Sequence, residues 1–377
     1  MSEKEAYDHL IQWLDKSWWK FVPSDELMPI IITHFTPEEA ALLTGIPFSS
    51  KSLEELAHIK DMTPAELGPE LDRAAKKGMV FKTVRGESVR YRLNDSFFSL
   101  LRANFWPGKR DETIKATAPM LNRYISDGWF DQYKDVHTKG LRALPIYETV
   151  EDTRQILPYE DVAKVVDGMD YYCVTTCPCR HRHNLDPDVP DCKHPTEVCL
   201  HFDELAHYIV DNGMGREITK EETLEILELS ADSGLVHGVS NHVEKVDTIC
   251  NCCSCCCIWL EAYHKLGHTK SMDPSNYKVE VKKETCTGCA LCVKRCPMDA
   301  LQLKVSTKAR NKYGKAAVVS PELCIGCGVC VHKCPSDSLL LVRNEDITLP
   351  PENPRKFMEA YLNDVQRARE KRAEVTA

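Results

Sequence analysis

Residues 286–297 read CTGCALCVKRCP, and residues 324–335 read CIGCGVCVHKCP. In both, cysteines recur as Cys-x2-Cys-x2-Cys-x3-Cys with a proline directly after the last: Cys286, Cys289, Cys292, Cys296 and Pro297, then Cys324, Cys327, Cys330, Cys334 and Pro335. The repeat outlasts the thiols, because Asp299 answers Asp337 and Leu301 answers Leu339. Three thiols this closely spaced wrap one corner of a compact inorganic core, and Gly288 and Gly326 permit the turn and a close backbone approach. The apolar stretches YKVEV, ALQLKV, AAVV and SLLLV flank the runs and read as short strands.

Composition limits what surrounds these runs. The chain has 377 residues, enough for several domains, and 43% of them are hydrophobic, so proper cores can form. The formal charge of −9 supplies no global basic field to attract nucleic acid. No apolar run reaches membrane-spanning length. The N-terminal MSEKEAYDHL is charged and has no apolar core of a signal peptide, so a cytoplasmic location is expected. All nineteen cysteines lie between positions 173 and 334, in dense runs rather than spread over small domains. That placement favours metal or iron–sulfur ligation over disulfides.

The two runs resemble the bacterial two-cluster ferredoxins over residues 276–345, whose signature is this spacing. The resemblance implies a ferredoxin-like fold with two [4Fe–4S] clusters. It also implies that the fourth cysteine of each run serves the other cluster. Cys286, Cys289, Cys292 and Cys334 are then one ligand set, and Cys324, Cys327, Cys330 and Cys296 the second. Two zinc sites are the alternative, which the crossed spacing and both prolines disfavour.

A second cysteine-rich region precedes this domain. Cys173, Cys177, Cys179, Cys192 and Cys199 are interspersed with His181, His183, His194 and His201, and residues 250–257 then read CNCCSCCC. In that octet Cys250, Cys253 and Cys256 stand in one Cys-x2-Cys-x2-Cys register, while Cys252 and Cys255 form an interleaved one. Neither segment holds a complete conventional run of four ligands. A site closed between the two is expected, with Cys179, Cys192 and Cys199 and one thiolate from Cys252, Cys253, Cys255 or Cys256. Its expected occupant is at least one further [4Fe–4S] cluster, with zinc as the alternative and a thiol redox centre third. The Cys-x3-Cys-x2-Cys spacing of radical enzymes is not met. The order CPCR, C, CL, GLVH, N, ICNCCSCCC followed by a ferredoxin domain is similar to a group of multi-cluster iron–sulfur proteins of anaerobic prokaryotes. What that implies is electron transfer, often as a subunit of a larger oxidoreductase.

Upstream, Leu10, Ile11, Trp13, Leu14, Trp18 and Trp19 fall near helical spacing. SLEELAHIK reads as a helix. TPAELGPELDRAAKKG reads as a second helix, capped by Thr63, with Pro64 in its first turn, Pro69 interrupting it and Gly78 past its end. MVFKTVRGESVRYRLN reads as a hairpin. This order resembles a winged helix-turn-helix. DNA binding is one reading and a scaffold or dimerisation module the other. The acidic second helix (Glu66, Glu70, Asp72) argues against major-groove recognition, although Lys82, Arg85, Arg90 and Arg92 lie on the wing.

The expected architecture is an α+β multidomain chain. A winged-helix-like domain spans 1–107, a cysteine-rich α/β middle domain 108–275, and the two-cluster domain 276–345. A Pro-rich linker and a helix occupy 346–377, with Phe357, Tyr361 and Leu362 on its apolar side. The middle domain is expected to contain a helix at PYEDVAKVVDG, a strand at YYCVTT and a capped helix at TKEETLEILELSADSG. The function expected is an electron relay serving a flavoprotein or larger oxidoreductase complex, with the N-terminal domain open to self-association. A redox-sensing DNA-binding regulator, and a reductase with its substrate at the middle cluster, are the competing classes. No dinucleotide loop, P-loop or HExxH motif is present, and no catalytic residue is assigned.

Overall fold

Helix caps written into the sequence set the N-terminal part. Ser2, Thr36, Ser52 and Thr63 each accept a hydrogen bond from the backbone N–H three residues on, and Glu5, Glu39, Glu55 and Glu66 reciprocate. Each such box supports its helix by about 1 kcal/mol. The computed structural model describes residues 2–17, 21–129, 133, 136–150, 156, 159–268 and 271–376. Trp18 and Trp19, and most of the expected QILPY connection, lie outside the described residues. The chain falls into two compact units. The first comprises Met1–Asp131, Cys173–Cys192 and Asp203–Glu217, and the second Gln132–Tyr172, Lys193–Phe202 and Ile218–Ala377.

In the first unit, helices Glu3–Leu14, Leu27–His34 and Pro37–Leu43 precede a short strand, Lys51–Ser52. Helices Leu53–Lys60 and Pro64–Lys76 follow, then a hairpin of Val80–Arg85 with Ser88–Leu93, paired Val80↔Leu93 through Arg85↔Ser88. Lys51 and Ser52 pair with Tyr91 and Arg90 on the hairpin's outer side. The expectation of an interrupted second helix is corrected here, because Pro64–Lys76 runs through Pro69. The residue before that proline is Gly68, which has no Cβ to meet the proline ring. The unit also reaches well past residue 107. Tyr208, on helix Asp203–Asp211, stacks on Phe81 at 4.3 Å, and its hydroxyl lies 3.0 and 2.9 Å from the carbonyls of Ala75 and Val80. A late segment thus completes the core of an early one.

In the second unit, strands Leu141–Ala143, Val236–Ser240, Thr248–Cys252 and Glu197–Phe202 lie side by side in that order, each antiparallel to the next. His237 and Asn251 pair across two of them, Nδ1 to Oδ1 at 2.6 Å, and Asn251 donates to the Val198 carbonyl at 2.7 Å. Helix Lys220–Asp232 starts where Thr219 accepts from Glu222 N at 3.2 Å. Helix Val162–Asp167 is capped by Asp161. After residue 276 all four expected strands appear. Tyr277–Val281 pairs with Leu339–Arg343, and Leu301–Val305 with Lys315–Val319. Two short helices, Leu291–Arg295 and Val329–His332, stand in equivalent places after the two thiol loops. The 23-residue helix Pro354–Thr376 buries Phe357 and Tyr361, while Leu362 stays exposed. Its Asp364 accepts from the N–H and hydroxyl of Thr138 at 2.8 and 2.7 Å. No described helix is long and apolar enough to cross a membrane.

Candidate metal centres

The repeat seen in the sequence is also a repeat of backbone shape. Gly288 and Gly326 have φ of +70° and +64°, Ala290 and Gly328 +63° and +79°, and Asp299 and Asp337 +51° and +46°. Each thiol loop therefore turns through left-handed positions before its short helix. A cavity lies against the second loop. Cys324, Cys327 and Cys330 line it, and so does Cys296, the last cysteine of the first run; Val279, Leu301, Val319 and Ile325 supply apolar walls. Gly326 and Gly328 form part of the same wall, where backbone rather than side chain meets the space.

Burial and mutual charge act on the thiols of both runs. Burial raises the thiol pKa of Cys327 and Cys330; the charges of Cys296 and Cys324 add to both, and those of Cys327 and Cys292 add to Cys330. Burial pushes Cys292 up to about 11, and the charges adding to it are those of Cys286, Cys289 and Cys334. Buried thiols of this kind hold their protons unless a cation replaces them, so metal binding here releases protons. Cys296 is also raised by burial, and the N–H groups of Met298 and Ala300 work against that rise; Ala300 N stands 3.3 Å from its sulfur. Four convergent thiols, apolar walls and N–H groups directed at sulfur fit a [4Fe–4S] cluster. The first group is the more exposed, with Cys289 open to solvent and Cys327 and Cys330 buried.

The domain is clamped from its own unit. Arg295 donates to the carbonyls of Asp232 (3.1 Å) and Ala231 (2.9 Å), capping the end of helix Lys220–Asp232, and to Val329 O at 3.1 Å. The carboxylate of Asp232 meets His332 at 2.7 Å and Lys333 at 2.5 Å, and those contacts hold its pKa below the usual carboxylate range. Ile146 N donates to Cys327 O at 3.1 Å, and His264 Nε2 lies 2.8 Å from Pro297 O. None of these contacts was visible in spacing alone. The RALPIYETV connection proves to be a support for the second thiol loop.

The octet 250–257 is divided by its local structure. Residues up to Cys252 belong to a strand, the next four turn, and Cys257 caps helix Ile258–Leu266. In the turn the sulfurs of Cys253, Cys255 and Cys256 gather, all within 4.8 Å of one another. Cys253, Cys256 and Cys192 are buried and Cys255 is exposed. Cys192 is the residue at which the chain passes out of the segment 173–192. Its backbone is held by Asn184, which accepts from its N–H at 2.8 Å and donates to its carbonyl at 3.3 Å. Of the expected ligands, Cys179, Cys199 and Cys252 stand outside this group. Cys179 lies on helix Pro178–Asn184 and Cys199 on strand Glu197–Phe202. The N-terminal end of helix Ile258–Leu266 points its partial positive charge at the turn, which favours thiolate there. Cys173 is a core residue whose thiol burial pushes up to about 12.

No curated protein matches the chain. Residues 278–348 match the family model of the 4Fe-4S dicluster domain, so that this segment, with its two strand pairs and two thiol groups, is a 4Fe-4S ferredoxin-like domain.

Proposed function

We propose that this protein is an iron–sulfur electron carrier, a relay subunit or partner of a larger oxidoreductase, working in a reducing cytoplasmic setting. The observation that carries the reading is the convergence of Cys296 with Cys324, Cys327 and Cys330 on one cavity within a segment similar to dicluster domains. The ligand sets follow: Cys324, Cys327, Cys330 and Cys296 for one [4Fe–4S] cluster, Cys286, Cys289, Cys292 and Cys334 for the other. A bound [4Fe–4S] cluster takes up and gives back single electrons at a potential set by its surroundings. The chain sets those surroundings. Backbone N–H groups at Cys292, Cys296 and Cys327 stabilise negative charge on sulfur, and the Arg295 guanidinium beside Cys330 does the same. Both raise the potential. The exposed edge at Cys289 is where a redox partner approaches.

Cys253, Cys255 and Cys256 supply ligands to the third centre in this reading, and its occupant is a [4Fe–4S] cluster. One observation favours zinc as a second reading. The three sulfurs lie within 4.8 Å of one another, close to the about 3.8 Å edge of a tetrahedron with zinc–sulfur bonds of about 2.3 Å. Thiolates on four separate irons stand further apart. The test is metal and sulfide analysis of the full chain purified without oxygen, beside a Cys253→Ser/Cys256→Ser variant. Loss of about four irons and four sulfides supports the cluster. Loss of one zinc with sulfide unchanged identifies the structural ion instead, and absence of iron and sulfide from the wild type overturns the electron-carrier reading.

The helices Leu53–Lys60 and Pro64–Lys76 with their hairpin act, in this proposal, as a winged-helix-like module for protein contact, including self-association, rather than for specific DNA recognition. The support is that the cations on the wing already have partners. Lys82 meets Asp72 at 2.8 Å, Arg85 meets Glu204, Arg90 meets Glu55 at 3.3 Å, and Arg92 lies over the Phe81 ring at 4.3 Å. Freeing them for phosphates breaks these contacts. Binding of the full chain to random duplex libraries near physiological salt is expected to select no sequence. An enriched motif whose binding is lost in Arg85→Ala/Arg90→Ala overturns the proposal.

A further inference from the structure

The compact group takes only half of the octet's thiols, and the other half has a shared position of its own. Strand Thr248–Cys252 alternates its faces, so Thr248, Cys250 and Cys252 project from one side, and Ile249 and Asn251 from the other. Asn251 is occupied on its side by His237 and Val198. On the opposite side the thiols of Cys250 and Cys257 are neighbours of the Cys252 thiol and, with burial, raise its pKa. Cys252 and Cys257 are 5% and 4% exposed, so these are interior contacts.

The neighbouring strand supplies a fourth thiol. Its register is Leu200↔Ile249 and His201↔Thr248, and Phe202 N donates to Asp247 O at 3.0 Å. Pairs 202/247 and 200/249 are therefore the hydrogen-bonded ones. The pairs between them, and the next pair beyond, are of the closer type, with Cβ atoms about 4.5–5.5 Å apart on the same face. His201 and Thr248 behave so, with their side chains touching at 3.1 Å. Continuing the register by one residue sets Cys199 opposite Cys250. Cys199 is 5% exposed, on the same face as His201.

We propose that Cys199, Cys250, Cys252 and Cys257 form a further metal site, separate from the group at Cys253, Cys255 and Cys256, and that it holds a [4Fe–4S] cluster. Two adjacent strands and the cap of the following helix contribute its ligands. The sole set of sulfurs all within 4.8 Å among the described residues is the other one. A packing role accounts poorly for the arrangement. A buried cysteine that serves as a small hydrophobe gains most from apolar neighbours, whereas here thiol faces thiol. The division also explains the interleaved spacing of the octet, since one turn serves two sites.

The experiment uses the full chain purified anaerobically, with Cys250→Ser/Cys252→Ser compared with Cys253→Ser/Cys256→Ser. The first variant is expected to lose about four irons and four sulfides, retaining the spectra of the ferredoxin segment. Its loss should add to that of the second variant. Unchanged iron and sulfide overturns the proposal, and so does loss of zinc alone. Should the strand variant fail to accumulate, Cys199→Ser leaves the octet intact and carries the same expectation and the same contrary result. Iron retained by the second variant but lost by the first counts against the cluster at Cys253, Cys255 and Cys256 and leaves this site standing.

Discussion

Cys296→Ala is expected to strip the protein of the cluster at Cys324, Cys327 and Cys330, and to leave the one at Cys286, Cys289 and Cys292 in place. Cys296 ends helix Leu291–Arg295 in extended backbone, with Pro297 blocking any continuation. From there its sulfur lies on the wall of the cavity that the second loop surrounds. Its proximity to Cys324, Cys327 and Cys330 is also what their mutual electrostatics register. Removing it leaves one iron of that cluster without a thiolate, next to buried sulfurs that then favour their protons. About four of the eight irons and sulfides of the ferredoxin segment should go. Electron paramagnetic resonance of the reduced protein should change from a pair of interacting centres to a single one. Cys334→Ala is the mirror experiment, directed at the loop of Cys286, Cys289 and Cys292. If Cys296→Ala instead spared the second loop and emptied the first, the crossed ligand sets would be wrong.

How much of this could be read beforehand follows from how local each feature is. The strand pairs after residue 276 and the helices and hairpin of 53–93 depend on short-range periodicity, caps and turns. They appear where those signals stand. Pro69 shows the limit of such rules, because the cost of a proline depends on its neighbour, here Gly68. The middle region depends on register. That Cys250 and Cys252 share a face follows from strand alternation, yet only pairing with Glu197–Phe202 brings Cys199 opposite. Strand and helix ends decide where a thiol goes: Cys179 lies on helix Pro178–Asn184 and Cys199 on strand Glu197–Phe202. The core of the first unit draws on distant sequence in a similar way. Tyr208 completes a core formed by Ala75, Val80 and Phe81, and nothing in its own sequence neighbourhood reports that. The clamp on the ferredoxin segment, through Arg295, His332, Lys333 and Asp232, likewise joins residues that carry no motif.

Gly326→Ala should cost far more than Gly288→Ala, although the two glycines occupy the same place in the repeated motif. Both have left-handed φ, so both substitutions carry a backbone penalty of about 1–2 kcal/mol. Their surroundings differ. A Cβ on Gly288 would meet Lys315 O at 3.2 Å and the Asn311 side chain at 3.4 Å, contacts that a shift of a few tenths of an ångström relieves. A Cβ on Gly326 would lie 2.2 Å from Tyr277 O and 2.3 Å from Ser275 Oγ. Neither atom can withdraw. Ser275 donates to Ile325 O at 3.0 Å through its N–H and to Gly326 O at 2.8 Å through its hydroxyl. Tyr277 opens the strand that pairs with Leu339–Arg343. The loop that must give way carries Cys324 and Cys327, so strain there is transmitted to the ligands. Gly326→Ala is expected to lower stability by about 3 kcal/mol or more and to lose the iron of the second loop. Gly288→Ala should retain nearly full iron and sulfide, with a modest fall in the thermal midpoint. Equal iron loss in the two variants would show that the shared left-handed turn, and not the contact with Ser275 and Tyr277, governs assembly of the cluster.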